Sequence, residues 1–265
     1  MLDKKHIKYF KKILPVDFVL SEEGDCWAYG YDNSKMHVMP ECVLFADSKA
    51  QIKDIVRYCF ENTIPITTRG RGTGNTGGSV PIENSVVLSL EKMNKIIDID
   101  ISNRLAVVQP GVINKTLQDE LQKENFFWGP DPSSQDYSTI GGNIANNSAG
   151  PRAIKYGTPR DNILGLEFIS GTGEIHKTGV KTSKGVVGLD LTRLFVGSEG
   201  VLGILSEATL KILPLNNSVK TFEITFETLK SASDMIIMLM TQPITPYKLE
   251  FVDEQSVKLI NSIKK

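Results

Sequence analysis

Arg69-Gly70-Arg71-Gly72-Thr73-Gly74-Asn75-Thr76-Gly77-Gly78-Ser79 places five glycines, two arginines and three hydroxyl side chains in eleven residues. Ile64-Pro65-Ile66-Thr67-Thr68 precedes it, a short β-branched stretch predicted as a strand, and Val86 to Leu90 follows as another. Gly72, Gly74 and Gly77 satisfy the GxGxxG spacing of dinucleotide-binding folds. That fingerprint requires a helix opening at the loop before the next strand. Only residues 79–85 separate the loop from that strand, with Pro81 among them, and so short a stretch cannot supply the crossover. The triphosphatase phosphate loop is excluded too, because no glycine precedes a Lys-Ser or Lys-Thr pair.

The chemistry of the stretch still suits a diphosphate. Glycines let backbone N–H groups converge on phosphate oxygens with no Cβ in the way. Arg69 and Arg71 can offset two negative charges, and Thr73, Thr76 and Ser79 add hydroxyl donors. The competing reading is a flexible connector, but connectors seldom combine arginines and hydroxyls with this glycine density.

Working outward, Asp47-Ser48 precedes Ile52, Ile55, Val56, Cys59 and Phe60, helical spacing behind an N-cap. Leu105 to Gln109 reads as a strand, and Ile113, Leu117 and Leu121 mark an amphipathic helix. Residues 129–150, rich in Gly, Pro, Asn and Ser, read as a long functional loop. Leu164 to Ser170 and Glu174 to Thr178 flank Gly171-Thr172-Gly173 as a hairpin, and Val201 to Leu213 as a strand pair. Beyond Pro214 the pattern is β-α-β-α: strands at Thr221 to Phe226 and Leu249 to Val252, helices at Ser231 to Met240 and Glu254 to Ile263. Ile7, Phe10, Ile13 and Leu14 give the lysine-rich N-terminus the spacing of a surface helix rather than a signal peptide. Lys264 and Lys265 read as a solvated end. The fold class is α+β with mixed sheets.

Three further motifs follow in order: Pro130-Asp131-Pro132-Ser133-Ser134; Ser138-Thr139-Ile140-Gly141-Gly142-Asn143-Ile144-Ala145-Asn146-Asn147-Ser148-Ala149-Gly150; and Gly188-Leu189-Asp190-Leu191 with Leu194-Phe195, Gly197-Ser198-Glu199-Gly200 and Leu202-Gly203-Ile204. Small residues in the second permit close backbone approach to a flat ring or ribityl chain, and its asparagines both donate and accept. Together with the glycine loop, these motifs resemble the FAD-linked D-2-hydroxy acid dehydrogenases. The closest branch is the glycolate oxidase large subunit and D-lactate dehydrogenase branch of the vanillyl-alcohol oxidase (PCMH-type) superfamily. The resemblance is close over 36–214 and looser beyond.

It implies a two-subdomain FAD-binding fold over 36–214, an N-terminal helical segment over 1–35, and the start of an α+β cap domain over 215–265. The implied cofactor contacts are Gly70, Arg71, Gly72, Thr73, Gly74, Asn75, Gly77, Gly78, Ser79, Pro132, Thr139, Gly141, Gly142, Asn146, Ala149, Glu199 and Ile204. Glu199 has a second reading as a helix N-cap, and Tyr156-Gly157 resembles a family position near the flavin, although a tyrosine is more often core. Covalent members carry a histidine near the place of Thr73, so the resemblance implies non-covalent FAD. No catalytic residue is assigned. The implied reaction oxidises a D-2-hydroxy acid, hydride passing to flavin and electrons onward to a quinone or protein acceptor. The cap is expected to carry most substrate contacts and a metal site, and the sequence stops before most of it. A second chain supplying the cap, and a non-catalytic FAD-binding subunit or remnant, are the alternatives. UDP-N-acetylenolpyruvoylglucosamine reductase shares the fold, but Pro-Asp-Pro-Ser-Ser and Gly-Ser-Glu-Gly fit the dehydrogenases better.

Composition narrows the rest. A net charge of -1 and a pI near 6.3 give no global attraction to nucleic acid or anionic membrane. No apolar stretch approaches the ~20 residues of a membrane span. Cys26, Cys42 and Cys59 lack a CxxC and read as buried apolar residues in a reducing, cytoplasmic compartment. His6, His37 and His176 have no metal-ligand spacing, so no metal is assigned. Asp131 and Asp136 read as turn residues. Gly-Ser-Glu-Gly is not a nucleophile elbow, because Val196 replaces the first glycine.

Overall fold

The computed structural model describes residues 2–182, 184–216 and 218–263. The first subdomain comprises α1 (Lys4–Ile13), β1 (Val19–Leu20), α2 (Glu23–Cys26), β2 (Cys42–Phe45), α3 (Lys49–Glu61), β3 (Ile66–Arg69) and β4 (Val86–Ser89). Its sheet runs β1-β2-β4-β3, with β2 and β3 both parallel to β4. β2 and β4 are buried along their whole length, the continuous apolar pattern of a sheet covered on both faces. Phe10 and Leu14 pack with Ile52, Ile55 and Val56 of α3 on the side of Cys42 and Leu44. Cys26 covers Val43, Phe45 and Val87 on the other.

The second subdomain comprises β5 (Ile96–Asp100), β6 (Leu105–Val108), α4 (Asn114–Lys123), β7 (Phe126–Trp128), α5 (Ile140–Ala145), α6 (Ala153–Tyr156), β8 (Ile163–Ile169), β9 (Ile175–Gly179), α7 (Leu191–Phe195) and β10 (Ile204–Pro214). Its antiparallel sheet runs β5-β6-β10-β8-β9, and β7 extends β10. Leu117 and Leu121 of α4, Ile140 and Ile144 of α5 and Trp128 pack against Ala208, Leu210 and Ile212. The buried Trp128 indole donates to the Asn162 carbonyl at 3.2 Å.

Several expectations change. β3 and β4 are parallel neighbours, Ile66 opposite Val86 through Arg69 opposite Ser89. The crossover is therefore the glycine-rich stretch 70–85 itself, which contains no helix. Seven residues were too few only because the loop was not counted as part of the connection. Val201 to Leu213 is not a strand pair: β10 is one strand, because nothing between Ile204 and Pro214 makes a turn. Register shifts at Leu205/Glu207 and Thr209/Leu210 let it bend while pairing with three strands. Residues 129–150 are not one loop, since α5 interrupts them.

After Pro214 the helical spacing is realised as α8 (Leu229–Met240), capped by Thr228, and α9 (Glu254–Ile263). The strands expected at Thr221 to Phe226 and Leu249 to Val252 do not form among the described residues. Alternation yields a strand only where a neighbour offers a ladder. Lys264 and Lys265 lie outside the described residues.

All three cysteines are buried free thiols. Burial pushes Cys26 up to about 11 and Cys59 up to about 12.

The two subdomains share more than the chain. Ile169 of β8 and Ile204 of β10 enter the core of the first subdomain. Glu167 of β8, 3% exposed, receives Lys49 Nζ from α3 at 3.1 Å, Lys177 Nζ at 3.1 Å and the Ser206 hydroxyl at 3.0 Å. Burial alone would raise the Glu167 pKa, but the bonds from Lys177, Lys49 and Ser206 outweigh it and hold the carboxyl below the usual glutamate value. Glu167→Gln is expected to cost about 2 kcal/mol at neutral pH, read as a lower denaturant midpoint at unchanged slope. A carboxyl depressed by folding stabilises fully above its unfolded value and loses that contribution as pH falls through the lower folded value. The difference between wild type and variant should therefore shrink as the pH falls below the usual glutamate value and through the lower folded one.

Candidate functional site

The glycine loop leaves the C-terminal end of β3 and folds over the seam between the subdomains, the usual ligand position at the carboxyl ends of parallel strands. Arg69 organises its base. The residue is 7% exposed, and its guanidinium donates to the carbonyls of Tyr31 at 2.7 Å, Ala28 at 3.4 Å and Ser79 at 3.5 Å. It also lies over the Tyr29 ring, 5.7 Å from the centroid. Burial together with Glu91 pushes the Tyr29 phenol up to about 12, so the ring beneath the cation stays neutral. Gly72, at φ +64°, lies against this guanidinium, and a Cβ there would sit 2.7 Å from Arg69 Cζ. The two arginines thus divide their work. Arg69 fastens the loop and also lines the cavity. Arg71 is half exposed, paired with Glu91 at 3.3 Å, and lines the cavity.

The opposite wall is α5. Thr139 caps it, accepting Gly142 N–H at 3.1 Å. A Cβ at Gly70 would come 2.5 Å from Thr139 Oγ1, so the glycine loop and α5 touch only because Gly70 has no side chain. Gly141 packs on Pro110, where a Cβ would lie 2.7 Å from the proline Cβ. Beneath α5, Asn143 bridges Asn114 and Ser138 through buried hydrogen bonds at 2.9 and 3.1 Å. The third wall is the turn after α7. Its amides at Gly197 and Glu199 donate to Ile144 and Ala145 carbonyls, each at 2.9 Å. Glu199, at φ +52°, aims its carboxylate at Gly78 and caps no helix, which removes that alternative.

These walls enclose a cavity of about 340 Å³. A second cavity of about 600 Å³ has Thr68, Gly200 and Gly203 in its lining as well. Of the expected contacts, Gly70, Arg71, Gly72, Thr73, Gly74, Asn75, Gly78 and Ser79 line the first cavity. Thr139, Gly141, Gly142, Asn146 and Glu199 line it as well. Ile204 lines the second cavity. Gly77, Pro132 and Ala149 line neither: Gly77 lies under Met36 at φ +82°, Pro132 is buried, and Ala149 is exposed away from the groove. Asp32, Pro110, Phe195 and Leu205 also line the first cavity and were not anticipated. The only local signal at Asp32 is the turn chemistry of Asp-Asn-Ser.

Elsewhere, Tyr156 packs edge-on to Phe127 and Tyr247, outside the cavity. Asp131 is no plain turn residue. It is buried, accepts Arg152 N–H at 3.0 Å, and lies 3.3 Å from Arg152 Nε and 2.8 Å from Lys248 Nζ. None of the three histidines lines the groove, and no cluster of metal-ligating side chains occurs among the described residues. Glycines where a Cβ would collide, in a loop whose backbone lines the first cavity, fit a ligand that brings a diphosphate against the chain.

Comparison with known proteins agrees. The profile of the FAD binding domain family matches residues 40–179. Glycolate oxidase subunit GlcD of Bacillus subtilis is 41% identical over 238 residues, covering 89% of this chain and 51% of that protein. D-lactate dehydrogenase of Anaerostipes hadrus is 36% identical, covering 95% of this chain and 53% of its own. The chain thus spans about half the length of the curated relatives it matches. Among solved structures, an alkyldihydroxyacetonephosphate synthase superposes with a TM-score of 0.73 at 22% identity, covering 82% of this chain and 45% of that one, which establishes the shared fold.

The division between the arginines is measurable. Arg69→Ala is expected to lower the stability of the ligand-free protein by about 3 kcal/mol, since it strips the donor from buried carbonyls. Arg71→Ala should change it by no more than about 0.5 kcal/mol, as for an exposed ion pair, while weakening inorganic pyrophosphate binding. Denaturant melts and calorimetric titration read the two effects separately.

Proposed function

The chain belongs to the FAD binding domain family and takes FAD as its cofactor, and on that premise we propose that it serves the oxidation of a D-2-hydroxy acid such as lactate or glycolate to the 2-oxo acid. The observation carrying this reading is the first cavity itself, walled by a glycine loop closed against α5 at Gly70 and Thr139. The names of the relatives, glycolate oxidase subunit and D-lactate dehydrogenase, support the substrate class.

FAD supplies the hydride-accepting ring, and the residues of this chain hold it. The loop amides and Arg71 take the diphosphate, and Thr73 and Ser79 add hydroxyl donors. Gly70, Arg71, Gly72, Thr73, Gly74, Asn75, Gly78, Ser79, Thr139, Gly141, Gly142, Asn146 and Glu199 are the contacts that the first cavity supports, and Ile204 the one that the second supports. The cofactor is held without a covalent bond, a reading supported by the absence of every histidine from the groove lining. We take 36–214 as the FAD-binding domain, 1–35 as a segment packed onto it, and 215–265 as the beginning of the substrate domain. Electrons leave to a quinone or protein acceptor. No helix among the described residues is long and apolar enough to cross a membrane, and the buried thiols suit a reducing cytoplasm.

One observation favours a second reading, a FAD-binding subunit that turns over with a partner chain. Ile237 of α8 and Ile263 of α9 are 62% and 76% exposed, a surface suited to a further protein layer.

Acid precipitation should release yellow cofactor into the supernatant, and chromatography should identify it as FAD. FMN as the dominant species, or fluorescence migrating with the denatured chain, would contradict the cofactor reading or the non-covalent reading respectively. Anaerobic addition of D-lactate or glycolate, with the partner chain if one copurifies, should bleach the flavin. NADPH bleaching it while hydroxy acids do not would place the chain with the reductases of the same fold.

A further inference from the structure

Asp32 is a buried carboxylate that the reading above leaves without a role. It is 2% exposed and lines the first cavity. Its Oδ1 accepts Ser34 N–H at 2.8 Å, while Oδ2 is buried with no hydrogen-bond partner. The surrounding segment is held in place: Asn33 N–H donates to the Gly74 carbonyl at 2.9 Å, Asn33 Nδ2 reaches Asn75 Oδ1 at 2.5 Å, and Arg69 Nη1 holds the Tyr31 carbonyl. Gly74 passes beside this oxygen, where a Cβ would make an ordinary contact with Asp32 Oδ2 at 3.7 Å. A carboxylate accepts hydrogen bonds and cannot donate them. A buried one without a donor is costly, so its retention beside a ligand cavity calls for a donor on the ligand. The diphosphate offers none and repels it. The groups that flank a dinucleotide's diphosphate on both sides, ribose and ribityl, are rich in hydroxyls.

We propose that Asp32 Oδ2 accepts a hydrogen bond from a sugar-type hydroxyl of the bound dinucleotide, so that the groove selects a hydroxyl-bearing diphosphate over a bare one. This rests on FAD occupying the groove, and it assigns Asp32 as a specificity-determining binding residue.

The test has opposite signs for the two physical alternatives. If Asp32 only stands near the diphosphate, removing its charge relieves repulsion and tightens every phosphate ligand. If it receives a hydroxyl, its loss weakens ligands that carry one and spares those that do not. FAD, ADP and inorganic pyrophosphate are titrated calorimetrically into ligand-free wild type, Asp32→Asn and Asp32→Glu. Asparagine can still accept from Ser34 N–H, and glutamate keeps the charge but displaces it by one methylene, so the result does not hang on one variant folding. The expected result is an approximately tenfold weaker FAD affinity in both variants, with pyrophosphate unchanged or tighter in Asp32→Asn and unchanged in Asp32→Glu. Melting temperatures of the ligand-free proteins should stay level. ADP weakened in parallel with FAD identifies the ribose hydroxyl as the donor, and ADP unaffected identifies the ribityl chain. The proposal is overturned if FAD binds either variant as well as it binds wild type. It is equally overturned if pyrophosphate weakens alongside FAD, which would mean that Asp32 shapes the loop. A chelator that abolishes the wild-type preference would replace the hydroxyl by a bridging cation and refute it too. Wild type that binds no FAD at all would instead bring down the cofactor reading beneath it.

Discussion

A single buried cation holds the groove together. Arg69 sits at the last position of β3, where the chain leaves the sheet, and donates to the carbonyls of Ala28, Tyr31 and Ser79. Those carbonyls belong to the segment after α2 and to the far end of the glycine loop. One side chain therefore closes both ends of a loop that has no ladder of its own. A guanidinium suits this task because its donors radiate in a plane and it does not lose its charge when buried. The glycines are then free to face the ligand, because rigidity comes from below rather than from side chains within the loop. Gly72 is constrained from the same side, since any Cβ there would strike the cation that holds the loop down.

The second constraint is the seam between the subdomains. It is apolar where Ile169 and Ile204 cross into the first core and ionic where Lys49 of α3 meets Glu167 of β8. The groove opens along this seam, so its walls come from different sheets. Their separation is set by contacts that permit no side chain, Gly70 on Thr139 and Gly141 on Pro110. Such glycines act as spacers between elements as well as flexible points within them.

Much of this was legible in the sequence, and the misses have physical causes. The helices α1, α3, α4, α8 and α9 show in their apolar spacing, which is a local property. The hairpin of β8 and β9 shows in Gly171-Thr172-Gly173. β10 was misread as a pair because alternation does not reveal how many partners a strand serves, and its bulges leave no turn residue behind. The segments at 221–226 and 249–252 alternate as strands do but have no neighbour among the described residues. At the site, the glycine loop, the Ser138 to Gly150 motif and Glu199 were recognisable because their residue types are unusual, although the helix α5 within that motif was not. Asp32 was not, because its burial comes from a loop more than 30 residues away folding over it, and aspartate in Asp-Asn-Ser looks like any turn. Arg69 and Arg71 are the same residue type two positions apart. Only the carbonyls around Arg69 show that it anchors the loop as well as lining the cavity.

The parallel pairing of β3 with β4 has a consequence for how the protein comes to be folded. A crossover between parallel strands is ordinarily a helix, which organises itself before the strands meet. Here it is the flexible stretch 70–85, rich in the residues that lose most entropy when fixed. The Arg69 hydrogen bonds and the β3–β4 ladder offset part of the entropy of closing that loop, and an occupant adds to them. A dinucleotide that orders the loop therefore also drives the registration of two central strands, and strand pairing in turn presents a formed loop to the dinucleotide. Folding and loading become one linked equilibrium, and the cofactor behaves as a component of the sheet that it sits beside.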